Sequence, residues 1–182
     1  MKPVFLVGFM GSGKSTLGYA VSRKLNMSYI DLDIFIENRF RASIKELYNT
    51  RGEKQFRILE QNMLHEVGEF EDVIVSCGGG TPLYGDNMEY MKSRGTTVWL
   101  NASIEVLTAR LCIPSAKAKR PLLANLTLPE VENYISKTLT ERNKIYSQAD
   151  IEFNADRLDD HSQIACATES LADIITHNTT FD

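Results

Sequence analysis

Three cysteines in 182 residues, Cys77, Cys112 and Cys166, stand too far apart to form a CxxC pair. Neither a disulfide framework nor a cysteine zinc site is indicated, and free thiols fit a reducing cytosol, so a cytoplasmic protein is expected. The three histidines, His65, His161 and His177, have no metal-ligand spacing and are expected on the surface. A basic excess is missing too. Twenty Lys and Arg against 24 Asp and Glu give a net charge of −4, which argues against a nucleic-acid partner. No apolar run approaches the length that crosses a bilayer, so no membrane partner is expected. The first strand-like run begins at Val4, which is expected to leave no room for a signal peptide. Internal repeats and low-complexity tracts are also lacking. With 43% hydrophobic and 24% charged residues, the chain can bury a core, and a single domain over residues 1–182 is expected.

What the chain does have is Gly8-Phe9-Met10-Gly11-Ser12-Gly13-Lys14-Ser15, which fills every fixed position of G-x-x-x-x-G-K-[ST]. Val4–Val7 ahead of it suits a buried strand, and Thr16 to Leu25 reads as the helix that follows. Glycines there let backbone N–H groups turn inward as an anion-binding nest at a helix start. Lys14 would reach the β/γ-phosphates and the Ser15 hydroxyl would sit on Mg²⁺. The bland alternative is a glycine-rich turn, but the flanking strand and helix favour a nucleoside triphosphate site.

Further strand-like runs are Ser28–Leu32, Val73–Ser76, Thr97–Leu100 and Asp150–Phe153, alternating with amphipathic stretches. That is the pattern of a parallel sheet covered by helices. Val73-Ile74-Val75 and Val98-Trp99-Leu100 are continuous rather than alternating, as strands buried on both faces are. Helix starts are expected at Ser43, with Glu46 as a capping box, and at Ser103 and Ser162. A long helix is expected from Glu130 to Tyr146, with Pro129 at its start. Two stretches break the alternation: a helix-rich insertion at about 33–61, and residues 112–128, which carry Pro114, Pro121, Lys117, Lys119 and Arg120 without sustained periodicity. The latter reads as a lid, or else as a solvated linker.

Several short constellations lie around this frame. Asp31-Leu32-Asp33 closes the second strand, where alternation would put both carboxylates on one side, near the phosphate loop. They could hold hydrated Mg²⁺ or accept a substrate proton, although Asp33 reads equally well as a helix N-cap. Arg57 and Glu60 can meet on one helical face, where a surface ion pair is the simple alternative. Ser76-Cys77-Gly78-Gly79-Gly80 follows the third strand, and three glycines there suggest close approach of a ligand to the backbone. The usual strand-end Asp of a phosphate-loop protein is absent, with Ser76 near its place. Cys77 is open to two readings, an inert strand-end residue or an accessible thiol.

Together these segments resemble shikimate kinase over nearly the whole chain. The resemblance rests on G-F-M-G-S-G-K-S-T-L-G at 8–18, D-L-D at 31–33, G-E-K-Q-F-R at 52–57 and Glu60. It continues through G-G-G at 78–80, R-P-L-L at 120–123 and E-R-N-K-I-Y at 141–146. The resemblance implies a three-layer α/β/α P-loop kinase fold with a central five-stranded parallel sheet. The implied activity is ATP-dependent phosphorylation of shikimate to shikimate 3-phosphate, on the route to aromatic amino acids, by a monomer. It further implies nucleotide binding by Gly11, Ser12, Gly13, Lys14, Ser15 and Thr16, with Arg110 against the adenine and Arg120 of the lid on the phosphates. Asp31 and Ser15 would hold Mg²⁺. Asp33 would contact the shikimate hydroxyls and serve as base, with Lys14 and Arg120 completing the catalytic set. Arg57 and Arg142 would clamp the carboxylate, Glu60 would orient Arg57, and Gly78, Gly79 and Gly80 would border the ring. Tyr48 and Phe56 would line the apolar side. Departures are a somewhat longer lid, Tyr48 where Phe is expected, and a segment from Asn154 to Asp160 that is expected near the adenine but aligns poorly and is left out of the site residues.

Two other readings are weaker. A different small-molecule kinase, of gluconate or nucleotide type, gives no reason for the pair Arg57 and Arg142. A non-catalytic GTP switch calls for N-K-x-D, whereas Asn143-Lys144 continues as Ile-Tyr, and for D-x-x-G where Ser-Cys-Gly-Gly-Gly stands.

Overall fold

The computed structural model describes residues 1–118, 120 and 122–179. Strands β1 (Val4–Val7), β2 (Ser28–Asp31), β3 (Val73–Ser76), β4 (Thr96–Asn101) and β5 (Ile151–Asn154) lie parallel, in the order β2-β3-β1-β4-β5. Parallel neighbours require crossovers, and helices supply them. These are α1 (Lys14–Lys24), α2 (Leu32–Phe40), α3 (Ile44–Val67), α4 (Asn87–Arg94), α5 (Ile104–Cys112), α6 (Pro114–Ala118), α7 (Leu128–Tyr146) and α8 (His161–Thr179). A 3-10 turn, Thr81–Leu83, follows β3. Lys119 and Pro121 of the expected lid, and the tail from Thr180, lie outside the described residues.

The continuous apolar runs behave as expected: β1 and β3 are buried at every position, and each alternates its side chains between two cores. Val4, Leu6, Ile74, Val98 and Leu100 face one core with Leu17 and Val21 of α1, Ile135 of α7 and Leu171 of α8. Phe5, Val7, Val75 and Trp99 face the other with Ile36 of α2, Leu64 of α3, Met91 of α4 and Tyr146 of α7. The result is the expected sheet between two helical layers, with all strand C-terminal ends at one edge. Among the described residues no helix is long and apolar enough to cross a membrane.

The capping boxes are in place. Ser43 Oγ accepts from the Glu46 N–H while the Glu46 carboxylate accepts from the Ser43 N–H at 2.8 Å. Thr127 and Glu130 repeat the device at α7, which starts at Leu128, ahead of the expected Glu130. Ser103 caps α5 as expected.

Some of these expectations need correction. β2 ends at Asp31, and the cap of α2 is Asp31 rather than Asp33: its Oδ1 accepts from the N–H groups of Asp33 (3.1 Å) and Ile34 (3.3 Å). Asp33 therefore sits on the first helical turn, so strand alternation does not explain where it lies. α8 starts at His161 ahead of Ser162, and Asp160 accepts from the Gln163 N–H at 2.8 Å. His65 is not a free surface residue. It is half buried and stacked on Tyr90 with ring centroids 3.8 Å apart. Helix α4 was not marked by any expected start, because Asp86 makes no side-chain cap and the helix has only eight residues. Residues 33–61 form helices as expected, and α3 runs on to Val67, one residue beyond the expected end near Glu66, with a break at Gly52 (φ 75, ψ 164), a left-handed φ that only glycine adopts freely.

Candidate active site

The loop from Gly8 to Gly13 joins β1 to α1 at the strand C-terminal edge. Gly11 and Gly13 take φ of 82 and 95, which turns the backbone so that it leads into α1 without a side-chain cap. No acidic residue occupies the first turn of α1. The first-turn N–H groups and the positive end of the helix dipole are thus left to an external anion. Lys14 Nζ donates to the carbonyls of Gly8 (2.8 Å) and Phe9 (2.9 Å), which holds the amine folded back over the loop. Burial pushes its ammonium down to about 8, against an opposing pull from Asp33.

A cavity of about 430 Å³ opens over this loop. Its lining includes Gly11, Gly13, Lys14, Ser15, Thr16, Asp31, Asp33, Gly78, Gly79, Arg110 and Arg120, so most of the residues singled out in the sequence converge here. Ser12 is not among the lining residues: its hydroxyl is buried and, among the described residues, has no hydrogen-bond partner. Asp31 is pinned at both oxygens, Oδ1 by the cap of α2 and Oδ2 by the Ser15 hydroxyl at 3.1 Å. β3 ends in Ser76, and the Asp31 of the adjoining strand is in register with it, which puts a carboxylate beside the place of the missing strand-end Asp. Among the described residues no cluster of three His, Cys, Asp or Glu could hold a metal by itself. A serine hydroxyl and a carboxylate beside a phosphate nest nonetheless fit Mg²⁺, which takes hard oxygens, keeps waters and shares phosphate oxygens.

Asp33 is the unusual acid. Burial, then the nearby charges of Asp31 and Glu60, push its carboxyl up to about 6, with Lys14 pulling the other way. A carboxylate with proton affinity near neutrality is matched to moving a proton. Cys77 is buried, its Sγ lies 3.7 Å from Met91 Sδ, and burial pushes its thiol far up, so it stands as a buried strand-end residue rather than an accessible thiol.

A second cavity, of about 530 Å³, is lined by Arg57, Arg142 and Gly80 together with Glu53, Lys54, Leu83 and Tyr84. Gly78 and Gly79 line the first cavity and Gly80 the second, so the glycine run passes between them. Here a missing side chain decides the geometry: a Cβ on Gly80 would stand 2.6 Å from Arg57 Nη2, and one on Gly79 would stand 3.3 Å from Arg142 Nη1. Glu60, only 2% exposed, lies behind Arg57 and accepts from its Nη1 at 2.6 Å. This pair is far from a solvated surface contact. Phe56 is buried beneath the Arg57 guanidinium, 5.5 Å from its ring centre, with Tyr48 against it at 5.6 Å. Arg142 stands over Phe9 at 5.7 Å, and the Tyr146 hydroxyl donates to the Gly79 carbonyl at 2.5 Å, which ties α7 to the glycine run.

The segment left out of the site belongs beside it. Arg110 donates to Asp159 (3.0 Å) and to the carbonyls of Ala155 (3.0 Å) and Asp156 (2.9 Å), and Leu158 lines the first cavity with Met10 and Leu111. Its position after β5 at the common strand edge was the available signal. Leu83 and Tyr84 were also missed, although Pro82 after the glycines marks a turn start.

The chain matches the family model "Shikimate kinase" over residues 10–174. It is 50% identical over 171 residues to a shikimate kinase of Phocaeicola vulgatus, covering 94% of this chain and 97% of that protein. The crystal structure of a shikimate kinase from Bacteroides thetaiotaomicron superposes with a TM-score of 0.92 at 47% identity, over 96% of this chain and 98% of that one. A shikimate kinase from Acinetobacter baumannii, solved in complex with shikimate, superposes with a TM-score of 0.82 at 26% identity, over 97% and 94% of the two chains. The chain belongs to the shikimate kinase family.

Proposed function

We propose that this enzyme transfers the γ-phosphoryl group of ATP to the 3-hydroxyl of shikimate, with Asp33 between the nucleotide and acid sites. One observation carries this reading: the glycine run joins a cavity built for phosphates to a cavity whose two arginines suit a carboxylate. The backbone of Gly11 to Thr16 cradles the β/γ-phosphates, and Lys14 exchanges its two loop carbonyls for phosphate oxygens. Ser15 and Asp31 would hold Mg²⁺, which would supply neutralisation of phosphate charge. Arg57 and Arg142 grip the shikimate carboxylate, which suits a planar fork better than a point charge. The substrate oxygen bonds to the γ-phosphorus as the bond to the β–γ bridging oxygen breaks, ADP leaves, and Asp33 takes the hydroxyl proton. Arg120 and Lys14 stabilise charge on the peripheral oxygens.

Arg110, tied down by the segment after β5, forms the adenine side together with Leu158. Residues 112–128, with α6 inside them, act as the lid that excludes water, and α2 with the first part of α3 forms the acid-binding insertion of one catalytic domain. The resemblance to shikimate kinase implies that the protein works as a monomer.

ADP release coupled to a reporter enzyme tests the reading. Turnover should require shikimate, ATP and Mg²⁺ together. Turnover with gluconate or a nucleoside monophosphate but none with shikimate would reject it. Gly80→Ala should keep the fold, because the clash falls on the movable end of Arg57. It should nonetheless raise the KM for shikimate about tenfold or more by displacing that guanidinium. A wild-type KM in this variant would show that the close approach of Arg57 to Gly80 is irrelevant to binding.

A further inference from the structure

A buried polar chain runs from the start of α4 to the second cavity. Asn87, fully buried, donates from Nδ2 to the Thr81 carbonyl at 2.8 Å. Thr81, also fully buried, donates its hydroxyl to Glu60 Oε1 at 2.7 Å. The other oxygen, Glu60 Oε2, accepts from Arg57 Nη1 at 2.6 Å. Neither Thr81 nor Asn87 is among the residues lining the two cavities, and the one side-chain link from the Thr81 hydroxyl toward Arg57 runs through Glu60. A buried carboxylate needs a donor at each oxygen, and the last torsion of a glutamate is otherwise broad. With a hydroxyl on one side and a guanidinium on the other, the carboxylate plane is set, and the direction of Arg57 follows. Glu60, Thr81 and Asp33 converge on Gly78: a Cβ there would stand 3.3 Å from Glu60 Oε1, 3.1 Å from Thr81 Oγ1 and 3.0 Å from Asp33 Oδ1.

We propose that Thr81 and Asn87 are positioning residues for the acid substrate, fixing Glu60 so that the Arg57 guanidinium is aimed into the carboxylate site. This rests on the reading of the Arg57 and Arg142 cavity as the shikimate site. Thr81→Val keeps the volume and removes the hydroxyl, whereas Thr81→Ser keeps the hydroxyl. In Thr81→Val the KM for shikimate should rise about tenfold, the factor a hydrogen bond to a charged group carries, with the KM for ATP within about twofold of wild type. Thr81→Ser should restore the wild-type KM. An unchanged KM for shikimate in Thr81→Val overturns the proposal, and so does an equal rise for both substrates, which would mark general loosening. The ligand-free crystal structure of Thr81→Val gives an independent reading. Arg57 should leave its place over Gly80, and an unmoved guanidinium overturns the proposal. If wild-type protein failed to phosphorylate shikimate, the proposed function would fall, and that crystal structure alone would decide the role of Thr81.

Discussion

Asp33→Asn should lower kcat by about 10²–10⁴-fold, the range supplied by a positioned general base, and leave the KM for both substrates within a few-fold. The same substitution should stabilise the ligand-free protein at alkaline pH. The Asp33 carboxyl is held at about 6 in the fold, above the 3.8 of a free aspartate, chiefly by burial. The folded state therefore binds the proton more tightly than the unfolded chain. Its contribution favours folding while the group is protonated and is lost as pH rises from about 4 through about 6. Above that window the buried charge is a standing penalty, and a neutral amide of the same shape removes it. Melting curves at pH 8 should place Asp33→Asn about 5 °C above wild type, with the difference vanishing below pH 4. A variant with near-normal turnover would reduce Asp33 to a residue of the first turn of α2.

Arg57→Ala should raise the KM for shikimate about 100-fold and move the KM for ATP by no more than about twofold, because Arg57 lines the second cavity and not the first. Stability should fall as well. Glu60 is 2% exposed, and removing its cation leaves a buried charge with only the Thr81 hydroxyl to satisfy it. Arg57→Lys should recover stability better than affinity, since a point charge can neutralise Glu60 but cannot present a planar fork to a carboxylate. Equal losses for ATP and shikimate in Arg57→Ala would contradict the separation of the two sites. Initial-rate kinetics with each substrate varied in turn makes the measurement.

The frame was legible because its causes are local. Continuous apolar runs such as Val73–Ser76 mark strands covered on both faces, and the glycines from Gly8 to Gly13 mark the nest. Ser43 with Glu46 marks a helix start. Elements whose signals are tertiary were harder to read. Asp31 and Asp33 both stand at the start of α2 and either could cap it by sequence; the structure gives the cap bonds to Asp31, whose other oxygen the Ser15 hydroxyl holds. Helix α4 starts without a side-chain cap and is held by its buried Met88 and Met91 in the core. The Asn154 to Asp160 segment is polar and irregular in sequence, and only its hydrogen bonds to Arg110 give it a place. Arg57 and Glu60 were readable as a pair, but not the fact that it is buried. That follows from the turn at Thr81 folding back onto α3, a contact between residues 21 apart in sequence.

The account stands or falls on two anions meeting across Asp33. A crystal structure with ADP, Mg²⁺ and shikimate bound together tests this most directly. The account predicts the shikimate carboxylate between Arg57 and Arg142, a ring hydroxyl within hydrogen-bond distance of Asp33, and the nucleotide phosphates on the backbone of Gly11 to Thr16. Shikimate bound elsewhere, or Arg57 and Arg142 turned away from its carboxylate, would contradict it.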